Sequence, residues 1–205
     1  MSTRSWVIGL CLLAPLSLPA QNVLKNSSFN TDAIGWATSQ NTIWETAEDH
    51  HGNADDPAGG SLRISTSVVD FAEQCVTVSP LKEYVIDAWI ETDPNPQFAP
   101  CTGANWSFEV VFWDDSECSA NPLAFLAEAH TSGDAITDGW IEKTLIGQAP
   151  MTAGSAQVKL ASTCSLRNGV ATYYVDDITL QSDAIFASDF EVPPPVIHPQ
   201  QPPTP

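Results

Sequence analysis

EYVIDAWIET, residues 83–92, places two different sets of side chains at alternate positions. Tyr84, Ile86, Ala88 and Ile90 fall on one face, and Val85, Asp87, Trp89 and Glu91 on the other. Successive side chains of a strand point to opposite sides of a sheet, so this period of two predicts a half-buried strand rather than a helix. NWSFEVVFWDD, residues 105–115, repeats the pattern. Trp106, Phe108, Val110 and Phe112 oppose Ser107, Glu109, Val111 and Trp113. Working outward, SLRISTS (61–67), AEQCVTVS (72–79), IEKTLIG (141–147), AQVKLAS (156–162) and ATYYVDDITL (171–180) are further candidate strands. DDPAGG (55–60), TDPNPQ (92–97), TSGD (131–134), TDG (137–139) and RNG (167–169) are turn-forming clusters between them. Only PLAFLAEAH (122–130) offers a short helical turn. About eight strands without helical crossovers predict an all-β chain, an antiparallel two-sheet β-sandwich of jelly-roll type.

The ends differ from this middle. Arg4 followed by the apolar run Trp6–Leu18 and the small-residue exit Leu18-Pro19-Ala20 is the pattern of a signal peptide, 1–20, cut before Gln21. The run is shorter than the roughly 20 residues that cross a bilayer, and Pro15 and Pro19 interrupt it. The alternative is a lipidated or retained form, although Cys11 lacks the small residues that follow a lipidated cysteine. The chain is therefore expected to be secreted, extracellular or at the cell surface, or periplasmic, without membrane insertion. A single domain is expected over 21–182. An acidic-aromatic segment and a Pro-rich tail follow over 183–205, the tail extended and disordered.

Formal charge is −18, and −19 without the signal, from six basic against 25 acidic residues. Nucleic acids and anionic lipids need dense Lys and Arg, so neither is an expected partner. The balance suits solubility, calcium and neutral ligands. Cys75, Cys101, Cys118 and Cys164 remain after cleavage. An even number in an exported chain predicts two disulfides with three possible connectivities, and no Cys-x-x-Cys pair favours a metal instead.

NVLKNSSFNTDAIGW (22–36), GGSLRIS (59–65), AEQCVTVSPLKEYVIDAWIET (72–92), EVVFWDDSEC (109–118), DGWIEKTL (138–145) and ATYYVDDITL (171–180) occur in this order. Together they resemble the jelly-roll carbohydrate-binding modules of the galactose-binding-like type, which are appended to bacterial xylanases and cellulases. The resemblance implies the same sandwich and an extracellular polysaccharide or other glycan as partner. It also implies a structural calcium ion tying the first strand to the last, held by Asp177, Asn30 and carbonyls near Ser28. Asn30 stands where the family often has glutamate. Asp176 and Asp177 should point to opposite faces, so that only one serves. The contexts of Cys75 and Cys118 recur together in similar modules, which implies Cys75–Cys118 and leaves Cys101–Cys164. Trp36 and Trp140, each after a glycine, would seal the sandwich edge, and Trp44 is a candidate for a groove rim.

Pyranose rings stack their C–H faces on aromatic side chains while carboxylates and amides take the hydroxyls. With the faces holding Tyr84/Ile86 and Phe108/Val110 in the core, Trp89 and Trp113 interleaved with Asp87, Glu91 and Glu109 on neighbouring strands supply that composition, and AEQCVTV adds Gln74 or Glu73 depending on register. The plainer alternative packs Trp89 under a loop and leaves the acids solvated. Catalysis has less support. Adjacent His50 and His51 rarely converge on one ion, no serine sits in a nucleophile elbow, and acids such as Glu91 and Glu109 pair by chance in so acidic a chain. The expectation is an exported, monomeric, non-catalytic carbohydrate-binding protein. The alternatives are a structural or adhesive domain, or a lyase or hydrolase, which needs a basic residue beside a tyrosine in a cleft.

Overall fold

In a computed structural model, described over residues 21–46, 48–50, 59–92, 104–131, 139–164 and 169–182, the chain forms ten strands. They are β1 (Ala37–Thr38), β2 (Thr42–Glu45), β3 (Ser61–Thr66), β4 (Val69–Thr77), β5 (Glu83–Thr92), β6 (Ala104–Trp113), β7 (Pro122–Thr131), β8 (Ile141–Gln148), β9 (Ser155–Cys164) and β10 (Ala171–Ser182). Two five-stranded antiparallel sheets result, in the orders β1-β4-β9-β6-β7 and β2-β3-β10-β5-β8. The fold is an all-β sandwich.

The alternation seen in the sequence sets the inner faces. Tyr84, Ile86, Ala88 and Ile90 of β5 are buried, as are Trp106, Phe108, Val110 and Phe112 of β6. Phe29, Leu62, Ile64, Val158, Leu160, Ile178 and Leu180 complete a fully buried layer between the sheets. Each such side chain contributes about 1.5–3 kcal/mol of hydrophobic stabilisation.

PLAFLAEAH forms β7, not a helical turn. Ala, Leu and Glu favour helix intrinsically, but pairing along β6 overrides a preference of tenths of a kcal/mol. Ala124 and Leu126 face the core, while Leu123 and Phe125 face out. Opposite them in the second sheet, a Cβ on Gly147 would lie 2.4 Å from Leu126 Cδ1. Glycine there lets β7 and β8 close one side of the sandwich.

Cys75 and Cys118 are bridged. The disulfide ties the loop after β6 back to β4, a constraint worth roughly 2–4 kcal/mol. Cys164 is also disulfide-bonded, and Cys101, its expected partner, lies outside the described residues. So do the signal segment, His51 and residues 183–205. Among the described residues no helix is long and apolar enough to cross a membrane.

Candidate functional site

The residues expected to share one groove are divided between the two sheets. β5 belongs to one sheet and β6 to the other, and their inner faces meet in the core. Their outer faces therefore look in opposite directions. Trp89, Asp87 and Glu91 lie on one outside of the sandwich, Trp113 and Glu109 on the other. The inward phase of both strands was legible, but a single platform assumed that consecutive strands were sheet neighbours. For the same reason Glu91 and Glu109 do not form a pair.

On the β5 side the groups engage one another. His50 stacks on Trp89 with ring centroids 3.8 Å apart, and meets Trp140 edge-on at 5.8 Å. Its Nδ1 lies 2.9 Å from Asp177 Oδ2, and its backbone N–H donates to Asp176 Oδ2 at 3.2 Å. Asp87 accepts hydrogen bonds from Thr144 Oγ1 at 2.7 Å and Thr179 Oγ1 at 3.3 Å. Glu91 is buried. Trp89 thus has one ring face covered by His50, and Asp87 is held within the sheet.

A register shift between Asp176 and Thr179 interrupts strict alternation in β10, and Asp177 sits at a φ of 47°. Asp176 and Asp177 consequently both reach His50 instead of diverging. Asp176 is 1% exposed. Burial, with the Asp177 carboxylate beside it and Asp49 adding a smaller repulsion, outweighs two N–H donors and pushes its carboxyl up to about 8.

The β6 side carries a different surface. Glu109 pairs across to Lys159 of β9, and Lys159 across to Glu73 of β4. Ser107 Oγ donates to Glu109 Oε1 at 2.7 Å. Lys159 Nζ sits 5.0 Å above the Phe71 ring. One row along, Gln157, Val111 and Phe125 are aligned by register, and Phe125 is 59% exposed. Trp113 stands half-buried at the end of this face, its Nε1 enclosed without a hydrogen-bond partner.

Gln74 faces inward, not onto either surface. Its side chain accepts from Lys25 N at 2.7 Å and donates to Lys25 O at 3.0 Å, fastening the N-terminal segment to β4. Trp36 is buried and donates to the same carbonyl at 3.1 Å. Trp44 is partly buried, with Nε1 donating to Phe29 O.

No protein-family model and no curated protein matches the chain. Solved structures do. A family 61 carbohydrate-binding module, TmCBM61, determined with β-1,4-galactotriose, aligns with 78% of this chain and 98% of its own at 16% identity and a TM-score of 0.50. The family 22 xylan-binding domain of Paenibacillus barcinonensis Xyn10C aligns with 80% and 95% at 14% identity and a TM-score of 0.52. The fold is that of the jelly-roll carbohydrate-binding modules. The enzymatically active domain of a bacteriophage tailspike protein also aligns, with a TM-score of 0.54 and 14% identity, but over only 21% of its chain.

In this module fold the sequence pointed to Glu109 and Trp113 on the β6 face but missed Lys159, Gln157 and Phe125. The signal for Phe125 was the alternation Leu123/Phe125 against Ala124/Leu126 within a segment assigned to helix. Lys159 and Gln157 alternate with Val158 and Leu160 in the same way, but only the register sets them beside Glu109. A lyase arrangement has a partial counterpart, since Arg63 and Tyr174 are cross-strand neighbours. Tyr174 is buried, however, and does not line the cavity beside Arg63.

For a metal, no three His, Cys, Asp or Glu side chains converge among the described residues. Ser27 O accepts the Ile178 N–H at 2.9 Å, so the segment carrying Ser28 and Asn30 runs beside the Asp177 bulge. Asn30 itself is exposed, and Asp177 is engaged by His50.

Proposed function

We infer that the protein is an exported, non-catalytic carbohydrate-binding protein whose glycan lies on the outer face of the β6 sheet. The observation that carries this reading is the exposed Phe125 ring, on the same face as Trp113 and the Glu73–Lys159–Glu109 row. Phe125 continues an outward apolar strip with Leu123 and Val111 that is rimmed by polar groups, the kind of surface that marks an interaction site, and a sugar ring is the partner that charged and amide neighbours complement. The acidic row disfavours polyanions and leaves neutral polysaccharides such as β-glucans, xylans, galactans and mannans.

Phe125→Ala should weaken binding to the best of these polymers at least tenfold, about 1.4 kcal/mol, because stacking contributes most where hydroxyl contacts only replace water bonds. Glu109→Gln should weaken it less, since the amide still accepts a bond. Isothermal titration with thermal melts as controls decides this. Unchanged affinity in Phe125→Ala, or no binding to any polymer, would remove the reading.

A structural calcium ion belongs to the same proposal, held by Asp177, Asn30 and carbonyls near Ser28. Calcium favours carboxylate and carbonyl oxygens, and the charges of Asp177 and Asp49, both felt at Asp176, supply the negative potential. Excess calcium should raise the melting temperature by mass action and a chelator should lower it. Identical melts under both conditions would rule the ion out.

A further inference from the structure

At the far edge of the β5 sheet, on its outer side, lies an open cavity of about 290 Å³, away from the β6 face. It is bounded by Gln40 and Asn41 from the turn between β1 and β2, Ile43 of β2, Arg63 and Ser65 of β3, and Ser67 beyond β3. This volume sits at the lower end of the roughly 300–1,000 Å³ of small-molecule sites, which suits one sugar ring rather than a chain segment.

The lining is built from fixed parts. Asn41 Nδ2 donates to Asp70 Oδ2 at 3.1 Å, and Asn41 O accepts the Ser65 N–H at 3.2 Å, so the turn is clamped to β3 and β4. Ser65 Oγ lies 3.0 Å from Thr172 Oγ1. Arg63 is held between Ile43 and Tyr174 by register. Its Nε is enclosed, 3.4 Å from Glu45 Oε2, yet makes no hydrogen bond. Nε is thus turned to Glu45 and not to a ligand, but arginine carries five N–H donors, and Arg63 lines the cavity with the others. Ile43 is 43% exposed and offers an apolar surface on which a C–H face can rest.

Charge selects the ligand class. Glu45 offsets Arg63, and Asp70 stands behind Asn41, so an incoming carboxylate or sulfate meets no net positive charge. A neutral ring of hydroxyls can accept from Arg63 and the Gln40 amide and also donate to Ser67 and the Asn41 carbonyl. We propose that this cavity is a second saccharide site that takes a single neutral sugar ring, as at the end of a glycan chain, independently of the β6 face.

The test is titration of isotope-labelled protein with glucose, xylose, galactose, mannose and glucuronate, followed by amide shifts. At least one neutral sugar should bind saturably in the millimolar range, with shifts centred on Gln40, Asn41, Ser65 and Ser67. Arg63→Gln should weaken that binding at least tenfold and Gln40→Ala severalfold, with melts reporting that both remain folded. Phe125→Ala should leave it intact. Failure of all neutral sugars to saturate, tighter binding of glucuronate, or loss with Phe125→Ala but not with the pocket variants would overturn the proposal. Polymer binding at the β6 face is measured separately; of those results only the Phe125→Ala one bears on it, by moving the sugar to that face.

Discussion

Trp89→Ala should lower the folding free energy by about 3 kcal/mol while leaving glycan titrations unchanged. The ring lies on the outer face of β5, but it is sandwiched against His50 at 3.8 Å, and His50 in turn meets Trp140 and Asp177. Removing the indole leaves a cavity under the 48–50 segment and frees the imidazole that orders it. Urea unfolding beside polymer titration separates the two effects. A variant of normal stability that no longer binds would place the glycan on the β5 side and exclude the β6 face as its site. His50→Ala should reproduce a smaller share of the stability loss, since it removes the cover but not the floor.

The second large effect is a dependence of stability on pH that traces to Asp176. Its carboxyl is pushed from an ordinary 3.8 up to about 8 by burial and by Asp177. Between those values the folded protein keeps a proton that the unfolded chain has released. The contribution to stability is therefore complete below about 4, declines as pH rises, and is lost once pH passes through about 8. The loss should amount to a few kcal/mol, on the order of 1.4 per unit of raised pKa at most. Asp49, Asp177 and His50 face the same carboxyl, so the comparison must be with Asp176→Asn. That variant loses one of two accepted N–H bonds but cannot titrate. Denaturant unfolding of both proteins at pH 4.5, 6 and 8 should show the wild type falling toward, or below, the variant as pH rises. Parallel curves for the two would exclude Asp176 as the source.

These two residues also mark the boundary of what could be read beforehand. The burial of Tyr84, Ile86, Ala88 and Ile90, and of Trp106, Phe108, Val110 and Phe112, followed directly from alternation, because a strand offers only two faces and water selects between them. The pairing of Cys75 with Cys118 followed from likeness to similar modules, and the structure contains it. What alternation does not encode is which strand lies beside which. β5 and β6 are consecutive in the chain and belong to different sheets, so two correctly phased faces ended on opposite sides of the molecule.

Local rules failed where longer-range pairing outweighed them. PLAFLAEAH has helix-forming residues, yet β6 supplies a hydrogen-bonding edge along its whole length and Gly147 leaves room for Leu126. Asp176 and Asp177 should have diverged, and the bulge in β10 brought both to His50. The sequence by itself determined the class of fold, the identity of the core and the acidic character that disfavours nucleic acid, because these depend on period and composition. Only the tertiary structure decided which acids and aromatics share a surface, because sheet order and bulges are set by contacts between residues far apart in the chain.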